Sequence, residues 1–267
     1  MLKTGQVCFC NGEPASAAQL AEFGLINYGH FTTMLIQQGA VRGVEHHLCR
    51  LRHATAALFG TDLDCSMVRS SIRNGFRSSG LKRARLRITV CSLQHGAALV
   101  PVPKVDVFLH FAPLAHTSPP PFTIQTQHHQ RDLPEIKHLA TFASYFYQRR
   151  ARAAGFDDVL FITALDFVAE GSFWNIGFWD GRAVVWPQAP ILAGTCQTLL
   201  DEGFRALDIA TRVSPIHRSE IGRFCAAFSC NALGHRPIRV IDQHVFSCDA
   251  LIPMLHTATD QTPWQPL

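Results

Sequence analysis

Long hydrophobic runs are missing from this sequence. No apolar stretch approaches the roughly 18–20 residues that a bilayer-spanning helix needs, so a membrane-embedded protein is not expected. The first residues, Met1 to Gln6, lack the apolar core of a secretory signal, which leaves the cytoplasm as the expected location. Charge is scarce too. Charged residues make up 16% of the chain against 47% hydrophobic, a balance that builds a core and excludes disorder. The net charge of +4 is mild, and its basic residues are spread along the chain. Lys82-Arg83 with Arg85 and Arg87 is a local cluster, but no aromatic-interleaved basic motif supports nucleic-acid binding. A solvated or anion-facing surface is the expectation.

Metal and disulfide signatures are absent as well. Nine cysteines fall at irregular spacing, and Cys8 and Cys10 have no second pair at zinc-ligand spacing. Without a secretion signal a disulfide framework is not expected, and the thiols read as reduced and mostly buried. Of 14 histidines, His46-His47 and His128-His129 are adjacent, so their side chains diverge on any regular element, and no H-E-x-x-H occurs. No metal site is expected.

What is present is a mixed pattern without internal repeats. Val7 to Asn11 and Phe31 to Gln37 read as strands. Leu48, Leu51, Thr55 and Leu58 recur at helical spacing up to Gly60. Arg85 to Val90 alternates with period two, and Val105 to Phe111 is a further strand candidate. Pro113 to Pro121 reads as a stiff linker, placing a small N-terminal domain at 1–112 and a larger one at 122–267.

In that second part, Pro134 precedes an expected helix with Leu139, Phe142, Ala143 and Phe146 as its apolar stripe and Gly155 as its stop. Val159 to Thr163 reads as a buried strand. Phe173 to Trp179 and Arg182 to Trp186 flank the turn signal Asp180-Gly181, and a helix opens near Gly194. Strands mixed with helices and hairpins indicate α+β.

Three stretches carry candidate chemistry. Lys137, in Glu135-Ile136-Lys137-His138-Leu139, reads by itself as a solvated charge before a helix. Glu170, in Val168-Ala169-Glu170-Gly171, is a carboxylate between apolar residues that needs a partner if buried. Leu192-Ala193-Gly194-Thr195-Cys196 is a small-residue turn opening a helix, whose backbone N–H groups and dipole suit a phosphate.

Together, in this order, these stretches resemble the class IV aminotransferase family, the fold-type IV enzymes that use pyridoxal 5′-phosphate (PLP). The resemblance runs from Tyr28-Gly29-His30-Phe31-Thr32-Thr33 through His47-Leu48-Cys49-Arg50-Leu51 to Arg236-Pro237-Ile238. It implies a site in a cleft between the two domains, a homodimer, and a small-molecule substrate. It also implies that Lys137 holds the cofactor as a Schiff base and moves protons, and that Glu170 faces the pyridine nitrogen. Arg50 would pair with the phosphate. Gly194, Thr195 and Cys196 would form the phosphate turn, Leu192 would pack on the ring, and Asn231 would lie near phosphate or substrate.

Ile136-Lys137-His138-Leu139 and Cys230-Asn231-Ala232-Leu233 are similar to runs of the 4-amino-4-deoxychorismate lyase branch, which also implies Thr33 near the substrate. Phe142 replaces the tyrosine that many family transaminases carry five residues after the lysine. Two departures concern substrate recognition: Ser92-Leu93 stands where family lyases often have an arginine–glycine pair, and Gln197 replaces an arginine. The implied reaction releases pyruvate and leaves 4-aminobenzoate for folate synthesis. The alternatives are amino transfer between an amino acid and a 2-oxo acid, and a binding protein that keeps PLP without turnover.

Overall fold

A computed structural model describes residues 6–93, 104–115, 119–247 and 251–267. Met1 to Gly5, where no secretory signal is expected, and residues 116–118 of the proline-rich stretch lie outside the described residues. The chain groups into two compact units, Met1–His116 with Ile136–Ala140 and Trp264–Leu267, and Thr117–Glu135 with Thr141–Pro263. This differs from the division expected at 112 and 122 in two segments that return to the first unit.

In the first unit the elements run β1 (Val7–Cys10), β2 (Glu13–Pro14), α1 (Ala17–Leu25), β3 (His30–Gln37), β4 (Ala40–Val41), α2 (Val44–Phe59), α3 (Cys65–Ser79), β5 (Arg83–Cys91) and β6 (Asp106–Pro113). Pro113 thus ends a strand rather than opening a linker. The sheet order is β4-β3-β5-β6-β1-β2, antiparallel throughout, with Gln265–Pro266 added beside β4.

The period-two pattern of β5 sorts its two faces. Ala84, Leu86, Ile88 and Val90 are fully buried and join Met34 and Ile36 of β3 in the core. Val44, Leu48, Leu51 and Phe59 of α2 and Val68 and Ile72 of α3 cover that face. Asp64 caps α3 by accepting from Ser66 and Met67 N–H, a contact worth about 1 kcal/mol. Helix α2 stops at Gly60, whose φ of 66° is left-handed.

In the second unit follow β7 (Phe122–His128), α4 (Phe142–Ala153), β8 (Asp158–Ile162), β9 (Val168–Gly171), β10 (Asn175–Trp179), β11 (Ala183–Pro187), α5 (Thr195–Ala206), β12 (Ala210–Ser214), β13 (Ala226–Asn231), β14 (Gly234–Ile241), β15 (His244–Val245) and α6 (Leu251–Asp260). The sheet order is β12-β11-β10-β13-β14-β7-β8-β9, with β15 beside β14. β11–β12, β14–β7 and β7–β8 are parallel and the other pairs antiparallel. Such mixing of parallel and hairpin-linked strands with helices is α+β.

The Asp180-Gly181 turn forms as expected, with Asp180 Oδ1 accepting from the N–H groups of Arg182 and Ala183. Helix α5 packs on α6 through Gly203, where a Cβ would fall 2.1 Å from the Ala258 carbonyl oxygen.

The helix expected after Pro134 is corrected. It begins only at Phe142, and Leu139 is outside it. Residues 136–140 are engaged in strand-like pairing instead: Phe31 N–H donates to Lys137 O and Leu139 N–H to Gly29 O, both at 2.9 Å. The stripe is corrected too. Phe142 is 80% exposed and Phe146 44%, whereas Ser144 and Ala151 are the buried residues of α4.

Cysteines also depart from expectation. The eight described cysteines are all free thiols, but only Cys10, Cys91 and Cys230 are buried. Burial holds the Cys10 thiol at about 11 and Cys91 at about 12, so both stay protonated. Among the described residues no helix is long and apolar enough to cross a membrane.

Candidate active site

In the first unit, Lys137 sits in the short segment paired with β3, and its Nζ lies 4.9 Å from the Phe31 ring centroid. The pairing depends on a close approach at Gly29, where a Cβ would fall 2.6 Å from the Val90 carbonyl oxygen. Phe31, Thr33 and Leu35 share the sheet face away from α2 and α3, because β3 alternates and Thr32 and Met34 point to the core. Thr33 lies opposite Arg87, and Arg87 opposite His110, so these three belong to the same face as Phe31. The Arg87 guanidinium carbon stands 3.7 Å from the Phe31 ring centroid. Phe31 therefore carries two cations, Lys137 and Arg87. Burial, Arg85 and Arg87 hold the His110 imidazole below its usual pKa, which favours its neutral form.

Arg50 projects from α2 to the other face of β3. Its Nη2 donates to Thr32 Oγ1 at 2.5 Å, and the same hydroxyl lies 2.7 Å from His47 Nδ1. Burial lowers the Arg50 pKa to about 10, so it remains charged at neutral pH. Its Nε is buried without a hydrogen-bond partner among the described residues. A buried donor with no acceptor costs about 1–3 kcal/mol, which an anion supplied from outside the chain would recover.

In the second unit, β9 presents Glu170, 7% exposed. Buried between apolar neighbours, it has the partner that its setting requires. Arg131 Nε donates to Oε1 at 2.8 Å, and Leu192 N–H donates to Oε2 at 3.1 Å. Leu192 is buried, and its carbonyl accepts from Asn175 Nδ2 at 2.8 Å. Asn175 thereby fixes the turn before α5. A Cβ on Gly194 would fall 2.0 Å from Asn175 Oδ1, so only glycine permits this approach.

Gly194 provides no side-chain cap, and no acidic residue occupies the first turn of α5, leaving its leading N–H groups to an outside acceptor. Thr195 is buried and Cys196 half-buried at that end. Asn231 ends β13, and its Oδ1 accepts from Leu233 N–H, a local turn contact.

The structure therefore gathers the predicted residues into two clusters. Lys137, Thr33 and Arg50 surround β3 in one unit. Glu170, Leu192, Gly194, Thr195 and Cys196 surround the β9–α5 region in the other, with Asn231 at the end of β13. Sequence reasoning missed Arg131, Asn175, Thr32, His47 and Arg87 as working residues. Arg87 and His47 were visible in pattern, in an alternating strand and next to the Arg50 stretch. Arg131 gave no local signal.

The model of the amino-transferase class IV family matches residues 29–241. The chain belongs to that family. It is accordingly a PLP-dependent enzyme. No curated protein matches it. Among solved structures it is similar to the branched-chain aminotransferase of the archaeon Thermoproteus uzoniensis with norvaline (TM-score 0.85, 19% identity, 94% of this chain and 93% of that one). It is also similar to a provisionally assigned 4-amino-4-deoxychorismate lyase of Legionella pneumophila (0.79, 18%, 89% and 93%). A third is a hypothetical aminotransferase of Mycobacterium tuberculosis in its PLP-bound form (0.78, 17%, 96% and 99%). The TM-scores, at identities this low, show the shared fold.

The residues fit the cofactor. Within the first unit the orphaned Arg50 Nε suits a phosphate, and within the second the uncapped turn at Gly194 does so too. Glu170 is a buried carboxylate whose charge Arg131 balances, the type of group that suits a ring N–H.

Proposed function

We propose that this enzyme is a PLP-dependent lyase of the 4-amino-4-deoxychorismate lyase kind, releasing pyruvate and leaving 4-aminobenzoate. When bound, PLP supplies an electron sink for charge developing at the carbon that bears the substrate amine. Lys137 holds the cofactor covalently and takes the proton from that carbon. Arg50 and the N–H groups of Thr195 and Cys196 hold the phosphate, Glu170 pairs with the ring nitrogen, and Leu192 packs on the ring. Asn231 stands near the phosphate or substrate.

The observation that favours elimination is the sheet face around Phe31. Losing an enolpyruvyl group needs a base at one carbon and a hydroxyl donor at the leaving oxygen, together with cations for the substrate carboxylates. The Lys137 amine as the base, the Thr33 hydroxyl as the donor and the Arg87 guanidinium as the cation are the matching set, with Thr33 directly opposite Arg87 and both nitrogen groups beside the Phe31 ring. Arg87 here takes the place of the arginine–glycine pair replaced by Ser92-Leu93. The product would feed folate synthesis in the cytoplasm, and the working form would be a homodimer.

Amino transfer is the second reading, supported by the likeness to the branched-chain enzyme. Purified protein given aminodeoxychorismate in one vessel, and an amino acid with a 2-oxo acid in another, separates the two. Pyruvate and 4-aminobenzoate in equal amounts would support the lyase. Exchange of the amino group without pyruvate release would replace it with the transaminase.

A further inference from the structure

We propose that Thr32 and His47 are positioning residues that turn the Arg50 guanidinium so that its buried Nε–H faces the cofactor phosphate. This rests on the reading of Arg50 as the phosphate's cation. Three observations on one face of β3 carry it. Thr32 is fully buried, and its Oγ1 accepts from Arg50 Nη2 at 2.5 Å. The same oxygen lies 2.7 Å from Nδ1 of His47, which is 2% exposed. Arg50 Nε is buried with no acceptor among the described residues, although the guanidinium is anchored one nitrogen away.

A guanidinium is planar, so fixing one Nη direction fixes where Nε–H points. A threonine hydroxyl has one proton and two acceptor positions. With one acceptor position taken by Arg50, the hydroxyl is aligned best when its proton goes to a neutral imidazole nitrogen. Burial and the nearby charges of Arg50, His46 and Lys137 keep His47 neutral, which makes Nδ1 available as that acceptor when the ring proton is on Nε2. The chain Arg50 Nη2–H to Thr32 Oγ1, and Thr32 O–H to His47 Nδ1, then has one direction throughout. His47 touches neither cofactor nor substrate in this scheme. It acts through Thr32, and Thr32 through Arg50.

The test is the affinity of apoenzyme for PLP and for pyridoxal, which lacks the phosphate, measured by absorbance titration. Thr32→Val should weaken PLP about tenfold and leave pyridoxal unchanged, whereas Thr32→Ser should bind PLP like the wild type. Arg50→Ala should lose PLP affinity by about ten- to a hundredfold, and adding Thr32→Val to it should change nothing further. If Thr32→Val does not fold, His47→Leu carries the same expectation through a loss of several-fold for PLP alone. Equal losses for PLP and pyridoxal, or losses that add in the double variant, would overturn the proposal by showing a general structural role. So would wild-type PLP affinity in Thr32→Val beside a weakened Arg50→Ala. An Arg50→Ala enzyme that binds PLP normally would instead remove the phosphate reading itself.

Discussion

Arg131 Nε stands 2.8 Å from Glu170 Oε1, with side-chain exposures of 13% and 9%. A carboxylate this buried cannot stay ionised without compensation, and Arg131 supplies it before any ligand arrives. Removing one member of a buried pair is far costlier than the pair's net worth, because the other charge is left stranded. Arg131→Met should therefore lower the stability of the apoenzyme by about 3 kcal/mol, read from urea unfolding. A loss below about 1 kcal/mol would mean that water reaches the pair and screens it.

Glu170→Gln tests the other side of the same contact. The substitution keeps the shape and hydrogen-bonding capacity but removes the charge that would hold a proton on the cofactor ring. Turnover should fall much more than PLP occupancy, since the charge matters most as electrons move into the ring. Full turnover in a fully loaded variant would make Glu170 a structural partner of Arg131 and nothing more.

For Lys137 the expected result is chemical. Borohydride should fix the cofactor irreversibly, and peptide mapping should recover it on the peptide that contains Lys137. Label on Lys82 or Lys104 would move the catalytic amine elsewhere.

Arg87 is expected to bind substrate carboxylate, so Arg87→Leu should raise KM for aminodeoxychorismate by about ten- to a hundredfold with PLP affinity preserved. The leucine still packs against Phe31, which separates the charge from the contact. An unchanged KM would assign the guanidinium to holding Phe31 in place.

The sequence was readable where one element sets its own pattern. The alternation of Arg85 to Val90 and the Leu48, Leu51, Thr55 spacing describe β5 and α2 because each buries one face against one core. The segment 136–140 was misread because its structure is imposed from outside. Leu139, Phe142 and Phe146 do fall at helical spacing, yet the first of them is bonded to Gly29 and cannot join the helix. Glu170 illustrates the same limit at the site. Its need for a partner follows from its apolar neighbours, but Arg131 lies 39 residues away, and no local rule selects it.

His30 supplies a pH signature of the fold. It is 1% exposed, with Nε2 3.0 Å from Thr55 Oγ1. Burial first, and then the charge of Arg50, lowers its pKa to about 4. In the unfolded chain an imidazole titrates near its ordinary value of about 6.5. Between those two values the unfolded chain binds more protons than the folded one, so acid favours unfolding. Stability from neutral His30 is thus complete above about pH 6.5 and is lost as pH falls towards about 4. The shift corresponds to about 3 kcal/mol at its limit. Other groups titrate over the same range, so the wild type is compared with His30→Asn, which keeps polarity without the proton. Urea unfolding at pH 7 and pH 4.5 should show the wild type losing about 2–3 kcal/mol more than the variant. An equal loss in both proteins would place the His30 pKa near its solution value and the imidazole within reach of water.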